Sequence, residues 1–145
     1  MRILFVSPNL PVPPNNGQAI RSLSIVQALS SSCHELSFVS FKDKDRAETL
    51  YPLSLYCREI ELLGRDLTNM SQHSDYRRRA GCLLSLKPYS LERFRSEPMQ
   101  ARIQRQMSAK RFDLIVCDGL YALVNIPKTD VPIALNCHNV EYVIF

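Results

Sequence analysis

The chain lacks a C-x-x-C pair, a hydrophobic run longer than a strand, a G-x-G-x-x-G and a G-K-[ST]. Its five cysteines, Cys33, Cys57, Cys82, Cys117 and Cys137, are scattered and odd in number. That argues against a disulfide framework and a zinc site and favours free thiols. Cys117 and Cys137 fall in apolar strand runs, where cysteine is expected as a small buried residue. The run Ile3 to Val6 stops at Ser7-Pro8, too short for a signal-peptide core or a membrane span, so a cytosolic protein is expected. The missing glycine motifs remove the usual dinucleotide and P-loop fingerprints. A phosphate-receiver domain needs an acidic pair after the first strand, and Ser7-Pro8-Asn9 stands there instead. No histidine or carboxylate pair has metal-ligand spacing, and no internal repeat is present.

What remains is the composition of an ordinary globular domain. At 145 residues, with 46% hydrophobic and 22% charged, one domain with a real core is expected. The net charge of +4 is unevenly spread. Between Tyr76 and Arg111 ten basic residues stand against Glu92 and Glu97, a local +8, so the remainder is −4.

The first thirty residues organise the chain. Ile3 to Val6 are consecutive large apolar residues, the pattern of an inner strand buried on both faces of a parallel sheet. Pro8, Pro11, Pro13 and Pro14 then make a stiff, extended loop poor in donors. Asn15-Asn16-Gly17 is expected to permit positive φ before a helix from about Ala19 to Ser30. That helix carries Ala19, Leu23, Ile25, Val26 and Leu29 on its docking face, with Arg21, Ser24 and Gln27 outside it. Its N-terminus beside a glycine suits an anion.

Further strands are predicted at Glu35 to Phe41, at Arg58 to Leu63 near a sheet edge, at Asp113 to Cys117 and at Pro132 to Cys137. A short helix is expected to end near Pro52. A basic helical insertion spans about 75–111: Asp75 is a candidate N-cap, Ser90 or Ser96 can cap further helix, and Pro98 to Lys110 is amphipathic through Met99, Ile103 and Met107. Alternating strands and helices predict an α/β fold, a Rossmann-like open parallel sheet with flanking helices. Ligands bind such sheets at the carboxyl ends of strands, so Pro8 to Gly17, Asp118 to Tyr121 and His138 to Glu141 are expected to share one rim. The last six residues, Val140 to Phe145, are largely apolar and predict that the chain is cut at a domain boundary.

The site residues each carry two readings. Gly17 either lets the backbone approach a diphosphate or serves a turn. His138, placed at the end of a central strand, either donates to a sugar hydroxyl or phosphate, with a charge tunable near neutral pH, or bonds nearby backbone. Asp118 accepts from a substrate hydroxyl or caps the helix beginning at Leu120, the commoner use. The basic segment is a solvated face, a patch for anionic lipid headgroups through Arg77, Arg78, Arg79, Arg93 and Arg95, or a nucleic-acid surface; the last lacks an aromatic stacking platform.

Taken together, strand Arg2 to Ser7, the proline loop ending Asn16-Gly17-Gln18, the helix through Arg21, the strand Phe112-Asp113-Leu114-Ile115-Val116 and Cys137-His138-Asn139-Val140-Glu141 resemble the N-terminal domain of a group 1 (GT4-like) glycosyltransferase of the GT-B fold. Lys87-Pro88-Tyr89-Ser90 with Arg93-Phe94 is similar to the variable segment of bacterial members that build exported or surface polysaccharides. The resemblance implies one half of a two-domain GT-B enzyme, with this half holding mainly the acceptor. It implies retaining transfer of a sugar from a nucleotide diphosphate sugar to a glycan or lipid-linked acceptor, with that sugar nucleotide as substrate and no cofactor or metal. His138 matches the catalytic histidine near the reacting carbon. Asn16, Gly17 and Gln18 match the loop that meets the donor phosphate and sugar, with one glycine where the family often has two. Asn9, Arg21, Asp118, Tyr121, Asn139 and Glu141 are the acceptor-binding candidates. The C-terminal domain, with its E-x7-E carboxylates and cationic phosphate clamp, is not in this sequence, so the chain alone is expected to be inactive. Its partners would be that domain, the acceptor and, peripherally, an anionic inner membrane face, with no nucleic acid. The alternative is a free-standing Rossmann-like binding or interaction module without catalysis.

Overall fold

A computed structural model describes residues 1–42, 50–64, 89–92 and 94–137. Five strands form one all-parallel open sheet: β1 (Arg2–Ser7), β2 (Glu35–Lys42), β3 (Glu59–Gly64), β4 (Leu114–Asp118) and β5 (Ile133–Asn136). Their order is β3-β2-β1-β4-β5. The fold is Rossmann-like α/β, with helices α1 (Gly17–Ser31), α2 (Tyr89–Glu92), α3 (Glu97–Ala109) and α4 (Leu120–Leu123).

The apolar run of β1 is central because it is buried on both sides. Ile3 and Phe5 join Val26 of α1 and Leu36, Phe38 and Val116 on one face. Leu4 and Val6 join Met99 and Ile103 of α3 with Val39, Phe41, Ile115 and Cys117 on the other. Phe5 and Phe38, register partners across β1 and β2, stack with ring centroids 5.3 Å apart. Burying a side chain of this size contributes roughly 1.5–3 kcal/mol each, so this double layer is the main source of stability.

Several boundaries depart from the sequence reading for local reasons. Helix α1 begins two residues early. Asn16 is extended (φ −145°, ψ 164°) and its Oδ1 accepts from Ala19 N–H at 2.9 Å, so it is the N-cap, and Gly17 is the first helical residue. The expected positive φ at Asn15-Asn16-Gly17 is therefore absent. Among the described residues positive φ occurs at Cys33 (59°) and Gly119 (91°). Beyond Pro52 the chain makes a 3-10 turn, Leu53–Leu55, rather than closing a helix there. In the proline loop, where an extended backbone was expected, the Val12–Pro13 peptide is cis. Ser96, one of two expected caps, caps α3, its hydroxyl accepting from Met99 N–H at 3.4 Å. The helix expected after Asp75 lies outside the described residues.

The two edges differ. β3 is an edge strand, as its interleaved glutamates predicted. Among the described residues β5, the strand leading to His138, is the other edge of the sheet where a central strand was expected, and His138 itself lies outside the described residues. Ile133 (43% exposed) and Leu135 (38%) show the consequence, as does Cys137, which is exposed instead of buried. Cys117, one strand inward, is fully covered, and burial followed by the charge of Asp118 pushes its thiol pKa up to about 12. Among the described residues no helix is long and apolar enough to cross a membrane.

Candidate functional site

The sheet order changes direction between β1 and β4, which makes their carboxyl ends the topological switch point. A cavity of about 150 Å³ lies there. Its walls are the loop from Pro8 to Asn16, the start of α1 through Gln18, Ala19 and Ser22, the end of β2 at Phe41 and the end of β4 at Asp118. Amide and hydroxyl groups supply its polarity, from Asn9, Asn15, Asn16, Gln18 and Ser22, and none of the described lining residues is basic.

Asp118 organises the floor. It closes β4 at 1% exposure, and strand alternation points it to the α1 side of the sheet with Val116. Its register partner on β5 is Asn136, whose Nδ2 donates to Asp118 Oδ1 at 2.8 Å. Ser22 Oγ, one helical turn into α1, lies 2.7 Å from Asp118 Oδ2, and Ser7 Oγ, at the end of β1, lies 2.9 Å from the same oxygen. One carboxyl thus joins three strand ends to the helix that covers them. The capping role fails for a backbone reason. Asp118 is still in the strand, and Gly119, at φ 91° and ψ 164°, stands at the cap position of α4 with no side-chain cap bond. That conformation is essentially restricted to glycine.

The start of α1 supplies a second kind of donor. Asn16 satisfies Ala19 N–H through its side chain and Ile20 N–H through its carbonyl. The N–H groups of Gly17 and Gln18 make no hydrogen bond among the described residues, as expected of the first helical positions. Gly17 is needed for neither turn nor packing. Its φ is not positive, and a Cβ built there meets nothing within 4 Å.

Of the residues the sequence nominated, Asn9, Asn16, Gln18 and Asp118 line the cavity, and Gly17 stands beside it. Arg21 is exposed on α1 and does not line it. Tyr121 turns away to pack on Phe94, with ring centroids 4.2 Å apart. His138, Asn139 and Glu141 lie outside the described residues. Sequence reading missed Ser7, Ser22 and Asn136. The available signal was Ser22 itself, a polar residue between Ala19 and Val26 on the buried stripe of α1.

The basic segment is less segregated in space than in sequence. Arg102 Nε lies 3.1 Å from Glu61 Oε2, and Lys110 pairs with Glu59, so α3 meets two acids of β3. Arg95 grips Glu92 through two bonds of 2.7 Å. Of the five described cations of this segment, Arg95, Arg102 and Lys110 are thus answered by carboxylates. Arg77, Arg78, Arg79, Lys87 and Arg93 lie outside the described residues. Among the described residues no group of three or more His, Cys, Asp or Glu is placed to hold a metal ion.

No protein-family model, no curated protein and no solved structure matches the chain, so the reading of this site rests on its own residues.

Proposed function

We propose that the chain is the acceptor-side, N-terminal domain of a retaining glycosyltransferase of the GT-B type. It would serve transfer of a sugar from a nucleotide diphosphate sugar to a glycan or lipid-linked acceptor. The observation that carries this reading is the cavity at the β1/β4 switch point, lined by amide and hydroxyl groups suited to sugar hydroxyls. Beside it, the Gly17 and Gln18 N–H groups at the start of a 15-residue helix supply donors and a positive dipole end for a diphosphate. The two features divide the work: Asn9 and Asp118 stand on the acceptor side, and Asn16, Gly17 and Gln18 on the donor side. In this reaction the acceptor oxygen bonds to the sugar's anomeric carbon as the bond from that carbon to the diphosphate breaks. The leaving phosphate oxygen takes the acceptor proton. The domain therefore needs no general base, and His138 would stabilise developing charge near the donor sugar.

Gly17→Ala in the protein joined to a nucleotide-binding domain tests the reading. Because a Cβ at Gly17 meets no protein atom and φ is ordinary, the substitution leaves folding intact or slightly improves it. Transfer should fall by at least tenfold, with a raised KM for the sugar nucleotide. Wild-type transfer in this variant would remove Gly17 from the donor site, and absence of any transfer by the wild-type two-domain protein would overturn the assignment.

A further inference from the structure

Helix α3 is held in two different ways along its length. Its first half is fastened by Met99 and Ile103, both fully buried in the core, and by polar ties at the amino end. Ser96 caps it, Ser96 N–H donates to Asn125 Oδ1 at 2.8 Å, and Gln100 Nε2 donates to the Val124 carbonyl at 3.3 Å. Past Ile103 these fastenings end. The next buried position is Gln106, whose Oε1 and Nε2 meet no partner among the described residues. A buried amide left so costs the docked helix free energy that contact with water would return. Met107, a residue further on, packs against the core only partly buried. On one flank an open groove of about 520 Å³ lies between Gln104, Met107 and Ser108 and the segment from Lys128 to Pro132. On the other flank Arg102 meets Glu61 and Lys110 meets Glu59, so α3 runs antiparallel to edge strand β3. The Arg102 pair stands level with Ile103. Beyond it the Lys110 pair is the one polar tie of α3 to the sheet among the described residues, and it is part-exposed, so it contributes little and is screened by salt. The sheet near it is polar as well. Ser37, register partner of Glu59, is set by strand alternation on the α3 face with Val39 and Phe41.

We propose that the second half of α3, from Gln104 to Ala109, is a latch that opens as a unit about Ile103 while the rest of the fold stays native, with the Lys110–Glu59 pair as its clasp. Opening hydrates the Gln106 amide, parts Lys110 from Glu59 and uncovers that end of edge strand β3. The groove gives the moving turns room. The first half stays docked, because Met99 and Ile103 hold it to the apolar face of the sheet. Such sub-global units are drawn from the parts of a fold with few buried apolar contacts.

The test is native-state amide hydrogen exchange of the full chain, read by NMR and corrected for intrinsic rates. Arg105 and Met107 are the reporters, set in from the end of the helix, and Ile103 is the reference. In the wild-type chain both reporters should exchange at least about tenfold faster than Ile103. Gln106→Leu removes the buried amide and should slow both, relative to Ile103, by about tenfold. Taking the ratio to Ile103 cancels any change in global stability that the substitution brings. Raising NaCl from about 20 mM to about 0.5 M should speed the reporters about twofold relative to Ile103. Glu59→Gln, which undoes the clasp, should show that faster exchange already at low salt and lose the salt response. Reporters that exchange in step with Ile103 in the wild-type chain overturn the proposal. So does an unchanged ratio in Gln106→Leu, or a salt response in Glu59→Gln equal to that of the wild type. These readouts involve no sugar transfer, so failure of the transferase assignment is observed separately.

Discussion

Ser22 is where one substitution separates two uses of the same hydroxyl. Its Oγ lies 2.9 Å from the Gln18 carbonyl of its own helix and 2.7 Å from Asp118 Oδ2. If its proton serves the helix carbonyl, Ser22→Ala loses only a local back-bond and gains helix propensity, about 0.5 kcal/mol. If it serves Asp118, the variant loses a buried hydrogen bond to a carboxylate, about 1.5–3 kcal/mol. Subtracting the propensity gain leaves a net loss of about 1–2.5 kcal/mol, or roughly 3–8 °C in Tm for a chain of this size. Ser24 supplies the internal control. It sits two residues on in α1, bonds its own i−4 carbonyl at 2.8 Å and is exposed, with no contact to the sheet carboxyl. Ser24→Ala should be neutral or stabilising by up to about 0.5 kcal/mol. Urea unfolding of wild type and both variants, with unchanged m-values as the check on two-state behaviour, gives the comparison directly. If the two alanine variants shift stability by the same amount and sign, the Ser22 proton does not serve Asp118, and the tie between α1 and β4 argued above is wrong.

Gln106 of α3 is 6% exposed, and among the described residues neither its Oε1 nor its Nε2 meets a hydrogen-bond partner. Gln106→Leu should therefore raise stability by about 1–2 kcal/mol in thermal unfolding, and a loss of that size would mean that an ordered water answers the amide. Gly119→Ala should cost about 1–3 kcal/mol although a Cβ there meets nothing, because the strain lies in the backbone; Gly17→Ala measured beside it should cost nothing. Burial pushes the thiols of Cys57 and Cys117 up to about 12, so at pH 8 only about one molecule in ten thousand carries the thiolate at either site. Alkylation followed by peptide mapping should label exposed Cys33 and Cys137 first and reach Cys57 and Cys117 only on unfolding; early labelling of Cys117 would contradict its place inside the sheet.

Much of the fold was legible because it rests on local pattern. Four apolar residues in a row at Ile3 to Val6 can be satisfied only between two covered faces, and the glutamates interleaved in β3 can be satisfied only near an edge. Met99 and Ile103 likewise had to face the sheet. Strand ends were legible for the same reason, and with them the position of the cavity, since loops at the carboxyl ends of parallel strands must meet. What sequence could not supply was pairing across distance. Ser7 and Asp118 are 111 positions apart, and Ser22 and Asp118 are 96 apart, so no local rule links them. Asp118 read as a helix cap because a carboxylate before a helix usually is one, and only the backbone at Gly119 showed that the strand had not yet ended. The charge ledger failed in the same way. Glu59 and Glu61 belong to the acidic remainder along the chain but lie against α3 in space, because a helix that buries Met99 and Ile103 must set its flanks beside the edge strand. By itself, then, the sequence determined that β1 is buried on both faces, that β3 lies at an edge and, to within one residue, where the strands end, since burial of apolar groups is decided residue by residue. The tertiary structure alone decided which polar groups meet, since hydrogen bonds are directional and of short range and depend on the register of strands far apart in the chain.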